Sequence, residues 1–164
     1  MENKGVIWAT DRHTGCLATL RKRASRARTF NYRVVTWNGG PFLPTKTKFD
    51  GILVAALCSG IGTWQRNPHA RWTTTEKDVK ELGEIQLQLL ENTHKALKPG
   101  GRLIYAVCTI TRQETTDIVR AFSAAHPELE PMPLASLGSE KSALFLWPQQ
   151  LDANGMFIAA WRKK

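Results

Sequence analysis

Two cysteines stand directly after apolar runs of strand type. Cys58 follows Ile52-Leu53-Val54-Ala55-Ala56-Leu57, and Cys108 follows Arg102-Leu103-Ile104-Tyr105-Ala106-Val107. Asp11 closes an earlier run, Gly5-Val6-Ile7-Trp8-Ala9-Thr10, and Asn38 follows Arg33-Val34-Val35-Thr36-Trp37. In open α/β sheets ligands bind outside the carboxyl ends of the strands, so these four positions are where side chains would meet a ligand. An acid at one strand end can accept both hydroxyls of a ribose, and a neighbour on the next strand can hydrogen-bond an adenine. Two thiols at the ends of successive parallel strands would converge on one pocket. For either cysteine alone, the alternative is a small buried hydrophobe.

The apolar runs predict four strands, the first of them buried. Residues 16–28 predict a short helix with Leu17 and Leu20 on one side and Arg21, Lys22, Arg23 and Arg26 crowding the rest. Asn38-Gly39-Gly40-Pro41 is a turn cluster. Thr75 and Asp78 form a capping box before a helix with Val79, Leu82, Ile85, Leu89, Leu90, Thr93 and Leu97 at helical spacing. Lys98-Pro99-Gly100-Gly101 is expected to end that helix in a turn. Thr111 and Glu114 read as a second capping box, opening a helix with Ile118, Val119 and Phe122 that stops before Pro127. Ala143–Trp147 and Met156–Trp161, separated by a Gly/Asn/Asp turn, predict an antiparallel hairpin. Strands alternating with helices predict a parallel sheet covered on both faces. The fold class is therefore α/β, Rossmann-like, with a C-terminal antiparallel hairpin.

The length of 164 residues predicts a single domain over 1–164. No apolar run reaches the ~18 residues of a spanning helix, and Met-Glu-Asn-Lys-Gly is not a signal-peptide start. Three cysteines, Cys16, Cys58 and Cys108, make neither a disulfide framework nor a zinc site, so a reducing, cytoplasmic setting is expected. His13, His69, His94 and His126 share no ligand spacing, and no metal is predicted. Gly60-Ile61-Gly62 lacks the third glycine of a dinucleotide turn, with Gln65 in its place. The net charge is +9, and residues 1–48 hold ten Lys/Arg against only Glu2 and Asp11. A segment so one-sided points to a polyanion such as nucleic acid; the plainer alternative is a solubilising face.

The segment Cys58-Ser59-Gly60-Ile61-Gly62-Thr63-Trp64-Gln65-Arg66-Asn67-Pro68-His69-Ala70-Arg71-Trp72 closely resembles the post-strand segment of the RNA cytosine-C5 methyltransferases of the Sun (Fmu) family. Those read Asp-Ala-Pro-Cys-Ser-Gly-x-Gly and then Arg-Arg-Asn-Pro-Asp-x-Arg-Trp. Lys98 to Tyr105 with Val107-Cys108-Thr109 is similar to the family's Lys-Pro-Gly-Gly-x-Leu-Val-Tyr-Ser-Thr-Cys-Ser. Leu146-Trp147-Pro148 and the stretch Asp152 to Ala159 are similar to its closing motifs.

The resemblance implies S-adenosylmethionine as cofactor, rRNA or tRNA as partner, and methylation of a flipped cytosine at C5. It assigns Cys108 as the nucleophile, Cys58 to product release, Asp11 to the cofactor ribose and Asn38 to the adenine. Arg66, Asn67, Arg71 and Trp72 would face the RNA, with the basic helix residues Arg21, Lys22, Arg23 and Arg26 adding phosphate contacts. It also implies a C-terminal part of a catalytic domain, without the first strand and glycine-rich loop, which another chain could supply.

Several positions depart from the family pattern. Ala55 and Leu57 stand where it has Asp and Pro, Asn38 where it usually has an acid, and Cys16 and Val107 where it often has Arg and Thr. A lost hydrogen bond to a charged group costs about 1.5–3 kcal/mol, or one to two orders of magnitude in rate. A catalytically inactive RNA-binding or scaffold relative is therefore the competing expectation.

Overall fold

A computed structural model describes residues 3–164; Met1 and Glu2 lie outside the described residues. The chain divides into two compact units, Met1–Lys46 and Thr47–Lys164.

The first unit contains β1 (Ile7–Asp11), α1 (Thr14–Arg26) and β2 (Tyr32–Thr36). β1 and β2 pair in parallel, Ile7 opposite Tyr32 and Asp11 opposite Thr36. None of the β1 residues is buried, contrary to expectation, because β1 has only one partner strand in a two-stranded sheet. In α1 only Leu17 is buried, while Arg21, Lys22, Arg23 and Arg26 are exposed, as the sparse apolar spacing requires.

The second unit begins with β3 (Phe49–Ala55), the short α2 (Ala70–Thr73) and the long α3 (Glu76–Thr93). It continues through β4 (Leu97–Val107), α4 (Thr116–Ala125), β5 (Leu129–Pro131), β6 (Ala143–Leu146), α5 (Pro148–Leu151) and β7 (Met156–Lys163). The strand order is β3-β4-β7-β5, with β6 also paired to β7. β3 and β4 are parallel; β7 runs antiparallel to β4, β5 and β6. The expected hairpin is β6 and β7, with Phe145 opposite Phe157.

Four further sequence expectations are corrected. The four parallel strands lie in two sheets of two different units rather than in one sheet. Full coverage of both faces also fails: in β4, Leu103, Tyr105 and Val107 are buried while the intervening Ile104 and Ala106 are half-buried, and Leu53 of β3 is exposed. The Lys98-Pro99-Gly100-Gly101 turn is instead part of β4, accommodated by a register shift between Phe49 and Gly51 and by φ +75° at Gly100. The α3 capping box at Thr75 and Asp78 is present, but the helix is rotated from the expected stripe. Its buried residues include Val79, Gly83, Gln86, Leu90 and Thr93, and Ile85 is exposed.

The core gathers Val54, Leu90, Leu97, Leu103, Tyr105, Val107, Ile118, Phe122, Phe157 and Trp161. Phe122 of α4 meets Trp161 of β7 edge-to-face at 5.2 Å, and the indole N–H donates to Ser123 Oγ at 2.9 Å. A buried Trp with its N–H satisfied contributes apolar area without a desolvation penalty. Paired with β3 on one side and β7 on the other, β4 lies inside the sheet, with its carboxyl end beside that of β3.

Candidate functional site: a paired-thiol centre

Because β3 and β4 are parallel neighbours, Ala55 opposite Ala106, the residues just beyond them emerge side by side. Cys58 Sγ and Cys108 Sγ are 3.3 Å apart, both half-buried, and no disulfide joins them. At this separation the two sulfurs share a proton. The Cys58 hydrogen bond pushes the Cys108 thiol down to about 6, helped by a backbone N–H and the Arg66 guanidinium and opposed by burial and by Glu114. The same bond, with burial, pushes the Cys58 thiol up. The contact therefore favours the thiolate on Cys108 and the proton on Cys58. Cys16, the third thiol, is exposed in the first unit.

The loop after Cys58 is wrapped onto Cys108 by backbone contacts. Gly60 turns the chain in the left-handed region, φ +69°, and the Gly62 N–H donates to the Cys108 carbonyl at 3.0 Å. The Gly62 carbonyl in turn accepts from Gly155 N–H at 2.7 Å, so the turn before β7 is docked on the loop. The glycine pair of Gly60-Ile61-Gly62 therefore serves a tight turn and a close backbone approach.

Beneath the thiols lies a polar network that no sequence signal had assembled. Thr111 and Glu114 do interact side chain to side chain, at 2.8 Å, but not as a helix cap. α4 starts at Thr116, and its N-cap Thr115 makes no side-chain cap bond. Glu114 is instead buried among Ser59, Thr109, Thr111 and Gln86. The available clue was Gln86, a polar residue on the buried stripe of α3, since a buried amide needs partners.

Of the other expected site residues, Arg66, Asn67, Arg71 and Trp72 are exposed on the loop and helix that follow Cys58. Trp72 is 80% exposed, with the Arg71 guanidinium 5.6 Å from its ring. Asp11 and Asn38 belong to the first unit, at the carboxyl ends of its two adjacent parallel strands. Asp11 Oδ1 accepts from His13 N–H at 2.7 Å, and Asn38 Oδ1 accepts from Gly40 N–H at 3.0 Å. Asp11 also lines an open groove of about 720 Å³ with Cys16, Leu20 and Arg23. An acceptor and an amide on neighbouring strand ends suit a ribose diol and an adenine edge.

The structure also joins His94 and His126, which sequence spacing had kept apart. Their rings lie 4.2 Å apart, and one ligand-type atom each of Glu91, His94 and His126 falls within 4.8 Å of the others. His126 Nε2 is 2.8 Å from Glu91, and its Nδ1 is 3.2 Å from Glu128. His94 is buried, its Nδ1 at 3.2 Å from the Leu90 carbonyl, and burial pushes its pKa below the usual histidine value. The unfolded chain therefore binds this proton more readily below about pH 6.5. Stability is expected to fall as the pH drops through that value in urea unfolding, and His94→Gln to flatten the fall. Cys108 acts with the same sign above about pH 6 and remains in the variant, so the difference isolates His94.

Parallel strands with helices between them and a C-terminal antiparallel hairpin define a Rossmann-like methyltransferase fold. Residues 1–162 match the family model of the 16S rRNA methyltransferases RsmB/F, and the chain belongs to that family. It is 32% identical over 174 residues to the probable ribosomal RNA small subunit methyltransferase B of Bacillus subtilis (strain 168), covering 100% of this chain and 39% of that protein. Among solved structures it is similar to PH0851, with TM-score 0.91, 30% identity, and coverage of 99% of this chain and 38% of that one. It is also similar to NSun6 from Pyrococcus horikoshii, solved with SFG, with TM-score 0.84, 25% identity, and coverage of 99% and 42%. Among the described residues, no helix is long and apolar enough to cross a membrane.

Proposed function

We propose that this chain carries the nucleophile and the release thiol of an S-adenosylmethionine-dependent rRNA cytosine-C5 methyltransferase. The observation that carries the reading is the 3.3 Å contact between Cys58 and Cys108 at adjacent strand ends, in a chain of the RsmB/F family. A pair packed wholly into the core would expose neither thiol; here both Cys58 and Cys108 keep some exposed surface.

Cytosine C5 is a poor nucleophile. Addition of the Cys108 thiolate to C6 forms an S–C6 bond and moves the ring electrons to C5, which can then take a methyl group. S-adenosylmethionine, when bound, supplies that methyl as a sulfonium. Once Cys108 is bonded to C6, the Cys58 thiol gives its proton to water. The Cys58 thiolate then takes the C5 proton, the C5–C6 double bond re-forms, and the expelled Cys108 thiolate again shares the proton now on Cys58. Asp11 and Asn38 fit the cofactor by their chemistry, since the first accepts from hydroxyls and the second both donates and accepts. The NSun6 relative was solved with SFG, an analogue of that cofactor.

Exposed Trp72 and Arg71, together with Arg66 and Asn67, supply a stacking surface and guanidinium groups suited to an RNA strand. The exposed Arg21, Lys22, Arg23 and Arg26 suit phosphates.

The test is an adduct assay with Cys58→Ala, which blocks release but leaves Cys108. The variant is given rRNA and S-adenosylmethionine at about pH 8.5, both in this chain and with the chain replacing the matching segment of the Bacillus relative. A denaturant-resistant RNA–protein band that disappears with Cys108→Ser is the expected result. No band in either form, with RNA still bound, would leave the inactive RNA-binding reading, which Ala55 in place of an acid favours.

A further inference from the structure

Glu114 has no exposed surface, yet it lies among polar groups rather than in the apolar core. Its Oε1 accepts from the Ser59 N–H at 2.8 Å and from Gln86 Nε2 at 3.0 Å. Its Oε2 accepts from Ser59 Oγ at 2.5 Å, Thr109 Oγ1 at 2.9 Å and Thr111 Oγ1 at 2.8 Å. Ser59 directly follows Cys58, and Thr109 directly follows Cys108. One carboxyl therefore grips the residue after each thiol, on two strand ends 50 positions apart in the chain. Ser59 Oγ and Thr109 Oγ1 also touch each other at 3.0 Å.

The carboxyl is itself held in place. Gln86 donates to the Leu57 carbonyl at 2.9 Å as well as to Glu114, and its Oε1 accepts from the Tyr105 hydroxyl at 2.8 Å. Burying a carboxyl is unfavourable unless its acceptors are filled, and packing alone would be served better by an apolar residue. The arrangement makes sense when what it fixes is geometry at the two sulfurs.

We propose that Glu114 is the positioning residue of the paired-thiol centre, holding Ser59 and Thr109 so that Cys58 and Cys108 stay within proton-sharing distance. The proposal rests on the reading of these cysteines as a reactive pair. Glu114 does not touch the substrate. It acts through Ser59 and Thr109, and it places a negative group behind Cys108 that opposes the thiolate. That opposition gives the role a signature that simple structural support lacks.

The experiment follows alkylation of Cys108 by iodoacetamide against pH in the 164-residue chain, with Cys16→Ser to silence the exposed thiol and peptide mass spectrometry to assign the site. Glu114→Gln keeps the shape. The amide oxygen can face the Ser59 N–H and Gln86, while its NH2 faces three hydroxyls that can turn. With the pair intact and the charge gone, the Cys108 midpoint is expected to move down, by about half a pH unit or more. Glu114→Ala releases both loops, so the midpoint is expected to move up towards the ordinary thiol value of about 8.5. Thr109→Val, which removes one grip and leaves the carboxyl, is expected to move it up as well, and serves if Glu114→Ala does not fold.

A Thr109→Val midpoint that stays at the wild-type value or falls overturns the proposal, because losing one grip must part the sulfurs. An upward shift in Glu114→Gln shows that the amide does not keep the grip, and counts with Glu114→Ala in favour. A wild-type midpoint near 8.5 would instead remove the reactive pair itself. Neither RNA nor cofactor enters the measurement, so a failed adduct assay leaves it standing.

Discussion

Gly62→Ala is expected to destabilise the fold by about 3–5 kcal/mol in urea unfolding. A Cβ built on Gly62 would lie 2.1 Å from the Gly155 carbonyl oxygen and 2.7 Å from its carbon, well inside contact distance. The obstacle is backbone, which cannot swing aside as a side-chain tip would. Relief requires the loop after Cys58 and the turn before β7 to separate. That stretches the 2.7 Å bond from Gly155 to Gly62 and the 3.0 Å bond from Gly62 to Cys108. Overpacking costs about 1–3 kcal/mol, and two backbone bonds add about 1 kcal/mol each. Gly155→Ala should be milder, because its nearest neighbours are 3.1–3.3 Å away and include the Pro148 ring. Gly15→Ala is the control: nothing lies within 4 Å, and an alanine in α1 should be neutral or stabilise by up to about 1 kcal/mol. A Gly62→Ala protein within about 1 kcal/mol of wild type would show that the loop is not clamped as described.

The second large effect is on the pH dependence of Cys108. Cys58→Ala removes the leading cause of its depressed pKa, and the midpoint of alkylation is expected to rise from about 6 towards about 8.5. Arg66 and the backbone N–H remain, so 8.5 is the upper end. At pH 6 the thiolate fraction falls from about one half to about 0.3%, on the order of 150-fold. The more basic thiolate is intrinsically faster, by roughly tenfold over this shift. The variant should therefore react roughly tenfold more slowly at pH 6 and roughly tenfold faster above pH 9, with the two rates crossing a little above pH 7. A plain loss of rate at every pH, or superimposable curves, would show that the sulfurs do not share a proton. The higher midpoint is also why the adduct assay belongs at about pH 8.5.

Gly62→Ala and the Glu114 variants probe one arrangement through different contacts, since the Gly62 N–H donates to the Cys108 carbonyl and Glu114 accepts from Ser59 and Thr109. If both variants shift the Cys108 midpoint upward, as Gly62→Ala and Glu114→Ala should, then the 3.3 Å contact depends on the frame rather than on attraction between the sulfurs.

The amino-acid order alone determined what depends on neighbours a few residues apart. The α3 cap at Thr75 and Asp78 closes over three residues, and the β6–β7 hairpin is joined by a short connection, so both were legible. The strand runs before Cys58 and Cys108 were legible too, and with them the placement of both thiols at strand ends. Tertiary packing decided the rest. Thr111 and Glu114 have the spacing of a helix cap, but Glu114 finds stronger company in Ser59 and Gln86, 55 and 28 residues away, and helix α4 starts later. The buried stripe of α3 runs through Gly83 and Gln86 rather than Ile85, because Gly83 lets the Gln113 backbone approach and Gln86 is required by Tyr105 and Glu114. Spacing along a chain fixes which side chains share a local face. Which distant groups fill a buried acceptor is fixed only when the sheet brings them together.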